Sequence, residues 1–304
     1  MMMKKAFAAL LAGAMLLGAL AGCGTDNTAD AQDTNAVNGA AQGGKAMSGT
    51  ITVVSREDGS GTRGAFVELT GVEEKGADGK KVDNTTEEAV IANKTDVVLT
   101  NVAGDTYAIG YVSLGSLGDT VKALAIDGAD ATAENVKNGN YTLARPFNIA
   151  TKGQPTGVAK DFINFILSKE GQEIVSHGYI PVNDAAQPFQ TDGTSGAITV
   201  GGSSSVSPIM EKLIEGYKTA NPAASIDLQT SDSTAGMTGA MDGTFAIGMA
   251  SRDLKQSEGE LTATPIALDG IAVIVNKENT LTGLTKEQVK SIYTGEVTDW
   301  SELA

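Results

Sequence analysis

Residues 55–66 combine the groups that bind small anions in proteins. They read Ser55-Arg56-Glu57-Asp58-Gly59-Ser60-Gly61-Thr62-Arg63-Gly64-Ala65-Phe66 and follow an alternating apolar run at 51–54. The glycines let the backbone turn tightly, and a helix beginning near Thr62 directs free N–H groups and its positive dipole end at the loop. Ser60 and Thr62 add hydroxyl donors, and Arg56 adds a planar charged fork. The segment predicts a strand, an anion-binding loop and a helix.

The same pattern also fits an ordinary strand-to-helix turn in which Ser or Thr only caps the helix. It is not a nucleotide-binding P-loop, because the G-x-x-x-x-G-K spacing is absent. One such loop therefore leaves the two interpretations open.

Two later segments repeat the pattern. Gly201-Gly202-Ser203-Ser204-Ser205 follows a strand-like run at 197–200, and Ser207-Pro208 is a strong helix start. Ser231-Asp232-Ser233-Thr234-Ala235-Gly236 follows a strand-like run at 225–229 and precedes a helix-like run at 237–241. Together the three units predict one tetrahedral anion held at helix N-termini. In the second loop, Ser204 and Ser205 would lie at the start of the helix.

The chain has almost no residues for nucleophilic or metal chemistry. Cys23 is the only cysteine and His177 the only histidine, so a Ser-His-Asp triad or a Cys/His metal site has little to draw on. His177 follows a predicted helix and is interpreted as a residue of its C-terminal end. We predict a protein that is not an enzyme and needs no metal or cofactor.

The N-terminus has the layout of a secretory signal. Lys4 and Lys5 precede an apolar run at 6–20, which ends in Leu20-Ala21-Gly22-Cys23. A transmembrane anchor is the alternative, but the run is shorter than the roughly 20 residues of a membrane span. We therefore predict a signal peptide at 1–22 and, from its small polar residues, a flexible tether at 23–48.

The acidic charge limits the possible partners. The 304 residues carry a formal charge of −15, and removal of 1–22 would make it −17. Such a field repels nucleic acid, and it also repels a free anion. Anion binding must therefore come from local hydrogen bonds and dipoles, because salt screens charge within about 10 Å.

Apolar periodicity predicts alternating strands and helices after residue 49. A hairpin is expected around Asp78-Gly79. A capping box, Thr285 with Gln288, predicts the start of a late helix. The other predicted elements are helices at 85–92, 158–166, 168–175 and 286–293, strands at 107–112, 121–126, 145–150 and 266–275, and a polar linker at 183–196.

The three loops resemble those of the PstS-type phosphate-binding lipoproteins of bacterial phosphate ABC transporters. Further matches are Asp269-Gly270-Ile271-Ala272-Val273-Ile274-Val275-Asn276, Tyr293-Thr294-Gly295 and Gly110-Tyr111-Val112-Ser113-Leu114-Gly115. The resemblance implies a monomeric two-lobed α/β fold of the type II periplasmic binding proteins, with a hinge between the lobes. It also implies capture of inorganic phosphate for an ABC permease and its ATPase subunits. Leu-Ala-Gly-Cys resembles a lipobox, which implies lipid on Cys23 and a place on the outer face of the cell membrane.

The order of the matching motifs is rotated relative to that family, so the chain resembles a circular permutant. The usual ends would be joined by the 183–196 linker. One lobe would comprise 49–145 with 268–304 and the other 146–267, with hinge crossings near Arg145-Pro146 and Leu268-Asp269. A fragment of a longer tandem protein is the rival explanation.

Carried over motif by motif, the resemblance implies a defined set of phosphate donors. They are Arg56, Ser60, Gly61, Thr62, Ser204, Ser205 and Ser233. Ser251 stands where many members have an aspartate that accepts the proton of hydrogen phosphate. We hypothesise that Asp269 or Asp232 accepts it instead, because that proton needs an acceptor. Alternatively, Asp269 only pairs with Arg252 or caps a hinge turn.

Three other functions stay open. The first is a phosphatase or hydrolase using Ser60 or Ser205, although neither serine has a nearby histidine base in the sequence. The second is binding of another oxyanion, such as sulfate, molybdate or a phosphorylated metabolite, which Ser251 favours. The third is an adhesive or scaffolding lipoprotein with the same fold.

Overall fold

The computed structural model describes residues 47–76 and 79–303. The predicted signal peptide, Cys23, nearly all of the tether and Asp78 lie outside these residues. Within the described ranges, no helix combines the length and apolar character needed to cross a bilayer.

The helices of the described residues follow the strand–loop–helix pattern expected from the sequence. In chain order they are Gly61–Thr70 (α1), Thr95–Gly104 (α2), Ala133–Lys137 (α3), Gly157–Ile166 (α4), Lys169–Ser176 (α5), Ser207–Ala220 (α6), Ser233–Asp242 (α7) and Lys286–Tyr293 (α8). Short 3-10 turns add Leu114–Ser116, Gln256–Glu258 and Trp300–Leu303.

The strands lie between these helices, singly or in consecutive groups. They are Thr52–Arg56 (β1), Glu73–Lys75 (β2), Lys81–Asp83 (β3), Val90–Ala92 (β4), Ala108–Ser113 (β5), Val121–Ala123 (β6), Ala125–Ile126 (β7), Ala144–Lys152 (β8), Ile180–Pro181 (β9), Gly196–Ser203 (β10), Ala224–Ser231 (β11), Ile247–Ala250 (β12), Leu261–Asn276 (β13) and Gly283–Leu284 (β14).

One ten-stranded sheet runs through the described residues in the order β11-β10-β12-β8-β13-β5-β1-β4, with β6 and β9 also paired to β13. At one end, β4 and β5 are parallel to β1; at the other, β11 and β12 are parallel to β10. We call the β5-β1-β4 end the first half and the β11-β10-β12 end the second half. The antiparallel strands β8 and β13 run between them and pair over most of the length of β8.

The buried apolar residues divide along the same line. In the first half, Phe66, Tyr111, Tyr293 and Trp300 belong to one core. In the second half, the core contains Phe147, Phe162, Tyr217 and Met249, among others. A second, smaller cluster lies in each half, so each half of the sheet has apolar clusters of its own, as in the two-lobed arrangement of the type II binding proteins. The exact lobe boundaries near 145–146 and 268–269 stay predictions.

Local sequence signals locate several elements correctly. Thr285 and Gln288 form the capping box that begins α8, and Pro208 occupies the first turn of α6. β2 and β3 form the antiparallel hairpin predicted around Gly79. His177 is the C-cap of α5, as interpreted from its position after the helix.

The predicted helix at 85–92 is wrong. The end of this segment is strand β4, which pairs in parallel with β1, and the residues before it form a turn. Val90 and Ile91 are β-branched, which favours a strand once a neighbouring edge is available. The helix of this region is α2 at Thr95–Gly104, which was not predicted from the sequence.

The two ends of the folded region lie side by side. Thr50 forms an antiparallel bridge with Asp299, and the Ile51 amide donates to the Thr298 carbonyl at 2.8 Å. A circular permutant needs such neighbouring ends. The permutation itself stays a prediction.

Candidate functional site

The loops predicted to bind an anion converge where the parallel strands of both halves end. β1 leads through residues 57–60 into α1, and β10 leads through 204–206 into α6. β11 leads through Asp232 into α7, whose first residue is Ser233. Carboxyl ends of parallel strands share one edge of a sheet, so each half carries its loops on one edge. The two sets of loops contact each other between the halves.

Arg56 brings the positive charge predicted for the site. It is 2% exposed and forms a bidentate ion pair with Glu57, with both nitrogen–oxygen distances at 2.8 Å. Its Nη2 also donates to Ser204 Oγ of the second half at 3.1 Å. Glu57 therefore fixes the plane of the guanidinium while leaving N–H groups directed at the serine loop.

The backbone of Arg56 is held by a buried tyrosine. Tyr111 Oη accepts from the Arg56 amide at 3.1 Å and lies 2.9 Å from Ser55 Oγ. The Tyr111 ring stacks on Phe66 at 3.9 Å between centroids. Burial raises the pKa of Tyr111 to about 12, so the hydroxyl stays protonated at neutral pH. The backbone of Arg56 is thus held in a fixed position.

Seven hydroxyl groups of the described residues form one connected cluster next to Arg56. Thr62 Oγ1 is its centre, 2.8 Å from Ser205 Oγ and 3.2 Å from Ser251 Oγ. All seven side chains belong to residues that are at most 6% exposed. The members are Thr62, Thr95, Ser203, Ser204, Ser205, Ser233 and Ser251.

The cluster has more hydrogen-bond donors than it can satisfy internally. Within the described residues, six oxygen–oxygen contacts join the seven hydroxyls, so at least one proton has no acceptor in the cluster. No carboxylate of the described ranges bonds directly to any of the seven. Arginine donates and cannot accept. Such a group of surplus donors suits an acceptor-rich ligand, which an oxyanion is.

Two glycines allow the loops of the two halves to meet. A Cβ on Gly61 would lie 2.4 Å from Ser233 Oγ and 2.9 Å from Ser251 Oγ, and one on Gly59 would lie 2.4 Å from Asp232 Oδ1. The Thr234 amide donates to the Gly59 carbonyl at 3.2 Å. The glycines predicted to let a backbone approach a ligand thus also bring α1 and α7 together.

Most of the predicted site residues lie in or beside this cluster. Arg56, Thr62, Ser204, Ser205, Ser233 and Ser251 contact one another through the hydrogen bonds above. Ser60 caps α1 by accepting from the Arg63 amide at 3.2 Å, which leaves its hydroxyl proton free to donate. Gly61, the first residue of α1, is buried among them.

Thr95 is a cluster member that the sequence reading missed. It is the first residue of α2, and its Oγ1 lies 3.3 Å from both Ser204 Oγ and Ser205 Oγ. The wrongly predicted helix at 85–92 hid it, because Thr95 then follows a helix instead of starting one. The sequence Lys94-Thr95-Asp96 carries no glycine and no strong cap that could have marked it.

The two candidate proton acceptors are already engaged. Asp232 caps α7 by accepting from the Ala235 amide at 2.9 Å. Asp269 is fully buried and pairs with Arg145, and it also accepts from the Gly115 amide at 3.3 Å. Burial raises the pKa of Asp269, although the charge of Arg145 acts in the opposite direction.

The alternative pairing of Asp269 with Arg252 is wrong. Arg252 instead forms a bidentate pair with Glu258, at 2.8 and 2.7 Å. The register explains this, because Arg145 lies directly opposite Asp269 in the β8–β13 ladder. Arg145 is the second residue near the site that the sequence reading did not include.

Comparison with known proteins places this arrangement in a family. Residues 15–170 and 187–304 match the PBP superfamily domain. Phosphate-binding protein PstS 2 of Streptococcus agalactiae serotype V is 48% identical over 309 aligned residues, which cover 100% of both chains. PstS 2 of Streptococcus pneumoniae serotype 4 is 46% identical over 88% of this chain and 92% of its own length.

A solved structure agrees with the sequence relatives. The crystal structure of a phosphate-binding protein of a phosphate ABC transporter from Streptococcus pneumoniae TIGR4 superposes with a TM-score of 0.68 and 46% identity, covering 84% of this chain and 100% of that one. The alignment with the Streptococcus agalactiae protein covers the whole chain and therefore includes both halves of the sheet and all of the loops of the cluster. The chain therefore belongs to the PBP superfamily and, within it, to the family of the streptococcal PstS proteins.

Proposed function

We propose that this protein captures inorganic phosphate outside the cell membrane and delivers it to an ABC transporter. The observation that carries the proposal is the buried hydroxyl cluster, which both halves build and which Arg56 adjoins. Two relatives, aligned over 100% and 88% of the chain, are named phosphate-binding proteins. The chain is thus a substrate-binding protein and not an enzyme.

The phosphate oxygens would replace hydroxyl–hydroxyl contacts of the cluster. Arg56 would donate from its fork, and Thr62, Ser204, Ser205, Ser233 and Ser251 from their hydroxyls. Ser60 and the amide of Gly61 would donate at the start of α1, where the helix dipole also favours an anion. Donors from both halves make the closed form the one that binds tightly, because an open form loses half of them.

The energies are sufficient without long-range attraction. A hydrogen bond to a charged group contributes about 1.5–3 kcal/mol, and a micromolar site needs about 8 kcal/mol. Several such bonds reach that value even after phosphate loses its water. The formal charge of −15 opposes binding only through a screened field.

The proton of hydrogen phosphate needs an acceptor, and the hypothesis of Asp269 or Asp232 remains. Arg145 connects Asp269 to the cluster, because it bonds to both Asp269 and Thr62. Phosphate affinity and sulfate rejection measured for Asp269→Asn and Asp232→Asn decide the question. If both variants bind phosphate as the wild type does and still reject sulfate, neither aspartate is the acceptor.

A second candidate ligand is a fully ionised oxyanion such as sulfate. The observation that favours it is Ser251, whose hydroxyl lies in the cluster where many family members have an aspartate. Sulfate carries no proton at neutral pH and needs donors only. Isothermal titration of residues 49–304 with phosphate, sulfate and arsenate at two pH values distinguishes the candidates. Binding of sulfate alone would refute the phosphate proposal.

We further propose that the mature protein is a monomer anchored by lipid on Cys23, with an ABC permease and its ATPase subunits as partners. The motif before Cys23 supports this, together with the signal-like residues 1–22. Metabolic labelling with a fatty acid tests it: the wild type should incorporate label and Cys23→Ala should not. Label in both forms would place the lipid elsewhere.

A further inference from the structure

A buried ion pair lies where the two halves of the sheet join. Arg145 of β8 and Asp269 of β13 face each other in the ladder and are 4% and 0% exposed. Arg145 Nη1 donates to the Asp269 carboxylate and to the carbonyls of Asp269 and Gly270, at 3.2 and 3.0 Å for the two carbonyls. One side of the guanidinium is thus fixed to the strand that joins both halves.

The other side of the guanidinium reaches the hydroxyl cluster. Arg145 Nη2 donates to Thr62 Oγ1 at 3.3 Å. A guanidinium has no acceptor, so the Thr62 oxygen must accept from it. The Thr62 proton then points away from Arg145, toward Ser205 Oγ, Ser251 Oγ or a bound anion. Arg145 therefore sets the direction in which Thr62 donates.

Arg56 acts in the same way on Ser204, at one end of the cluster. Its donation to Ser204 Oγ makes that oxygen an acceptor and turns the serine proton toward Thr95 or a ligand. Contacts from Ser204 through Thr95 and Ser205 to Thr62 connect the two arginines. Each guanidinium makes the hydroxyl oxygen that it contacts an acceptor, so the protons of Ser204 and Thr62 are left to bond to other hydroxyls or to an anion.

The pair is poorly arranged for stability alone. Within the described ranges, Arg145 Nε is buried without a hydrogen-bond partner. A buried unsatisfied donor is costly, and a buried ion pair is often no more stabilising than apolar side chains of the same size. The Phe147 ring, 4.9 Å from the guanidinium carbon, offsets part of this cost through a cation–π contact. A role of the Arg145 guanidinium in ligand binding would explain why a buried charged pair is present at this position.

We propose that Arg145, held by Asp269, is a positioning residue for oxyanion binding that orients the Thr62 hydroxyl as a donor to the ligand. This inference rests on the proposed phosphate-binding function and adds a residue to it. Because Arg145 belongs to β8 and bonds to Asp269 of β13, a change in the positions of these two strands would also move the donor to Thr62.

A double-mutant cycle of Arg145→Lys and Thr62→Val tests the proposal, with phosphate affinity measured by isothermal titration. Lysine keeps the charge beside Asp269 but lacks the fork that spans Asp269 and Thr62. We expect Arg145→Lys to weaken phosphate binding roughly tenfold in the wild-type background, and by less than about twofold when Thr62 is valine. A purely structural role would give the same factor in both backgrounds.

Two further variants keep the test decisive. Arg145→Gln with Asp269→Asn removes both charges together, so that no charge is left unpaired in the core, and it should show the same dependence on Thr62. Asp161→Asn alters a buried carboxylate network elsewhere and should leave phosphate affinity unchanged. Equal losses with and without the Thr62 hydroxyl, or wild-type affinity in Arg145→Lys, would overturn the inference. Failure of the wild type to bind phosphate would instead overturn the proposed function.

Discussion

The two halves of the molecule contribute different chemistry to one cluster. The first half brings the charge: Arg56 with Glu57, on a base of stacked Phe66 and Tyr111. The second half brings five of the seven hydroxyls, on loops whose backbones pack against each other, whereas the first half adds those of Thr62 and Thr95. The cluster members of the second half are Ser203, Ser204, Ser205, Ser233 and Ser251.

The backbone packing of the second half depends on glycines. A Cβ on Gly236 would lie 2.7 Å from the Met249 carbonyl oxygen, and one on Gly248 would lie 2.5 Å from the Gly236 carbonyl oxygen. α7 thus lies almost directly on β10 and β12. The comparison teaches that the first half fixes a strong donor through side chains, whereas the second half fixes many weaker donors through the backbone. Substitutions should therefore fail in different ways.

The largest effect is expected from Gly202→Ala in the second half. Gly202 has φ +135°, and a Cβ there would lie 2.4 Å from the Met249 carbonyl oxygen. Backbone cannot move aside as a flexible side chain can, so we expect a loss of about 3 kcal/mol or more in the free energy of unfolding. Urea denaturation followed by circular dichroism measures it.

Gly243→Ala is the matched control for this prediction. Gly243 also has positive φ, at +84°, but no atom lies within 4 Å of its missing Cβ. Only backbone strain remains, and we expect a loss of about 1 kcal/mol. Equal losses of unfolding free energy in the two variants would show that close backbone packing around Gly202 does not cause the destabilisation.

The next largest effect is expected from Arg56→Lys in the first half. Lysine keeps the charge but loses the bidentate contact with Glu57 and the fixed direction toward Ser204. We expect phosphate affinity to fall about a hundredfold, or roughly 2.7 kcal/mol, with little change in stability. Isothermal titration and thermal unfolding measure the two quantities separately.

Arg252→Lys gives the matching variant in the second half. Arg252 forms an equivalent buried pair with Glu258 but donates to no hydroxyl of the cluster within the described residues. Its replacement should change phosphate affinity less than about threefold. A comparable loss in both variants would break the division into a charged half and a hydroxyl half.

The sequence was sufficient to predict those site residues that lie next to a local structural signal, such as a glycine, a proline or a helix cap. Glycines with small polar residues after a strand located the loop at Arg56, and Pro208 located the start of α6. Thr95 and Arg145 were not predictable in this way. α2 begins at Lys94-Thr95 without a glycine or a side-chain cap, and Arg145 reaches Thr62 only because β8 and β13 place it there.

The same distinction holds for the fold. Periodicity and caps predict α4, α6 and α8, because their apolar stripes and first turns are local. The segment at 85–92 was mispredicted because β4 gains its hydrogen bonds from β1, more than thirty residues earlier in the chain. Partners that are distant in sequence leave no local pattern.

A smaller effect is expected from Thr95→Val, which tests whether the first half contributes a second hydroxyl besides that of Thr62. The change removes the oxygen that lies 3.3 Å from Ser204 Oγ and Ser205 Oγ while keeping the shape of the side chain. We expect phosphate affinity to fall about tenfold. Thr100→Val in the same helix is the control, because among the described residues its hydroxyl bonds only to the Asp96 carbonyl, on the exposed side. Equal affinities for the two variants would remove Thr95 from the site.

The smallest effect is expected in a part of the second half that carries no ligand donor. Asp161 accepts from Tyr217 Oη at 2.8 Å, from Thr191 Oγ1 at 2.9 Å and from the Asp192 amide at 3.2 Å, and so holds the 183–196 linker against α4 and α6. Burial alone would raise the pKa of Asp161, but these hydrogen bonds outweigh it and lower the pKa below the ordinary value.

A lowered folded-state pKa means that Asp161 stabilises the protein above its unfolded pKa of about 3.9 and stops doing so as pH falls through the folded value. We therefore expect Asp161→Asn to cost about 1 kcal/mol of unfolding free energy at pH 7 and progressively less as pH falls below 4. Phosphate affinity should not change, since the network lies outside the cluster. Denaturation curves from pH 7 to pH 2.5 measure the difference, and Asp119→Asn at an exposed aspartate gives the surface control. If the difference in unfolding free energy between wild type and Asp161→Asn stays constant with pH, the Asp161 carboxylate is not ionised in the folded protein. If Asp161→Asn weakens phosphate binding, the 183–196 linker is coupled to the ligand-binding loops of the second half.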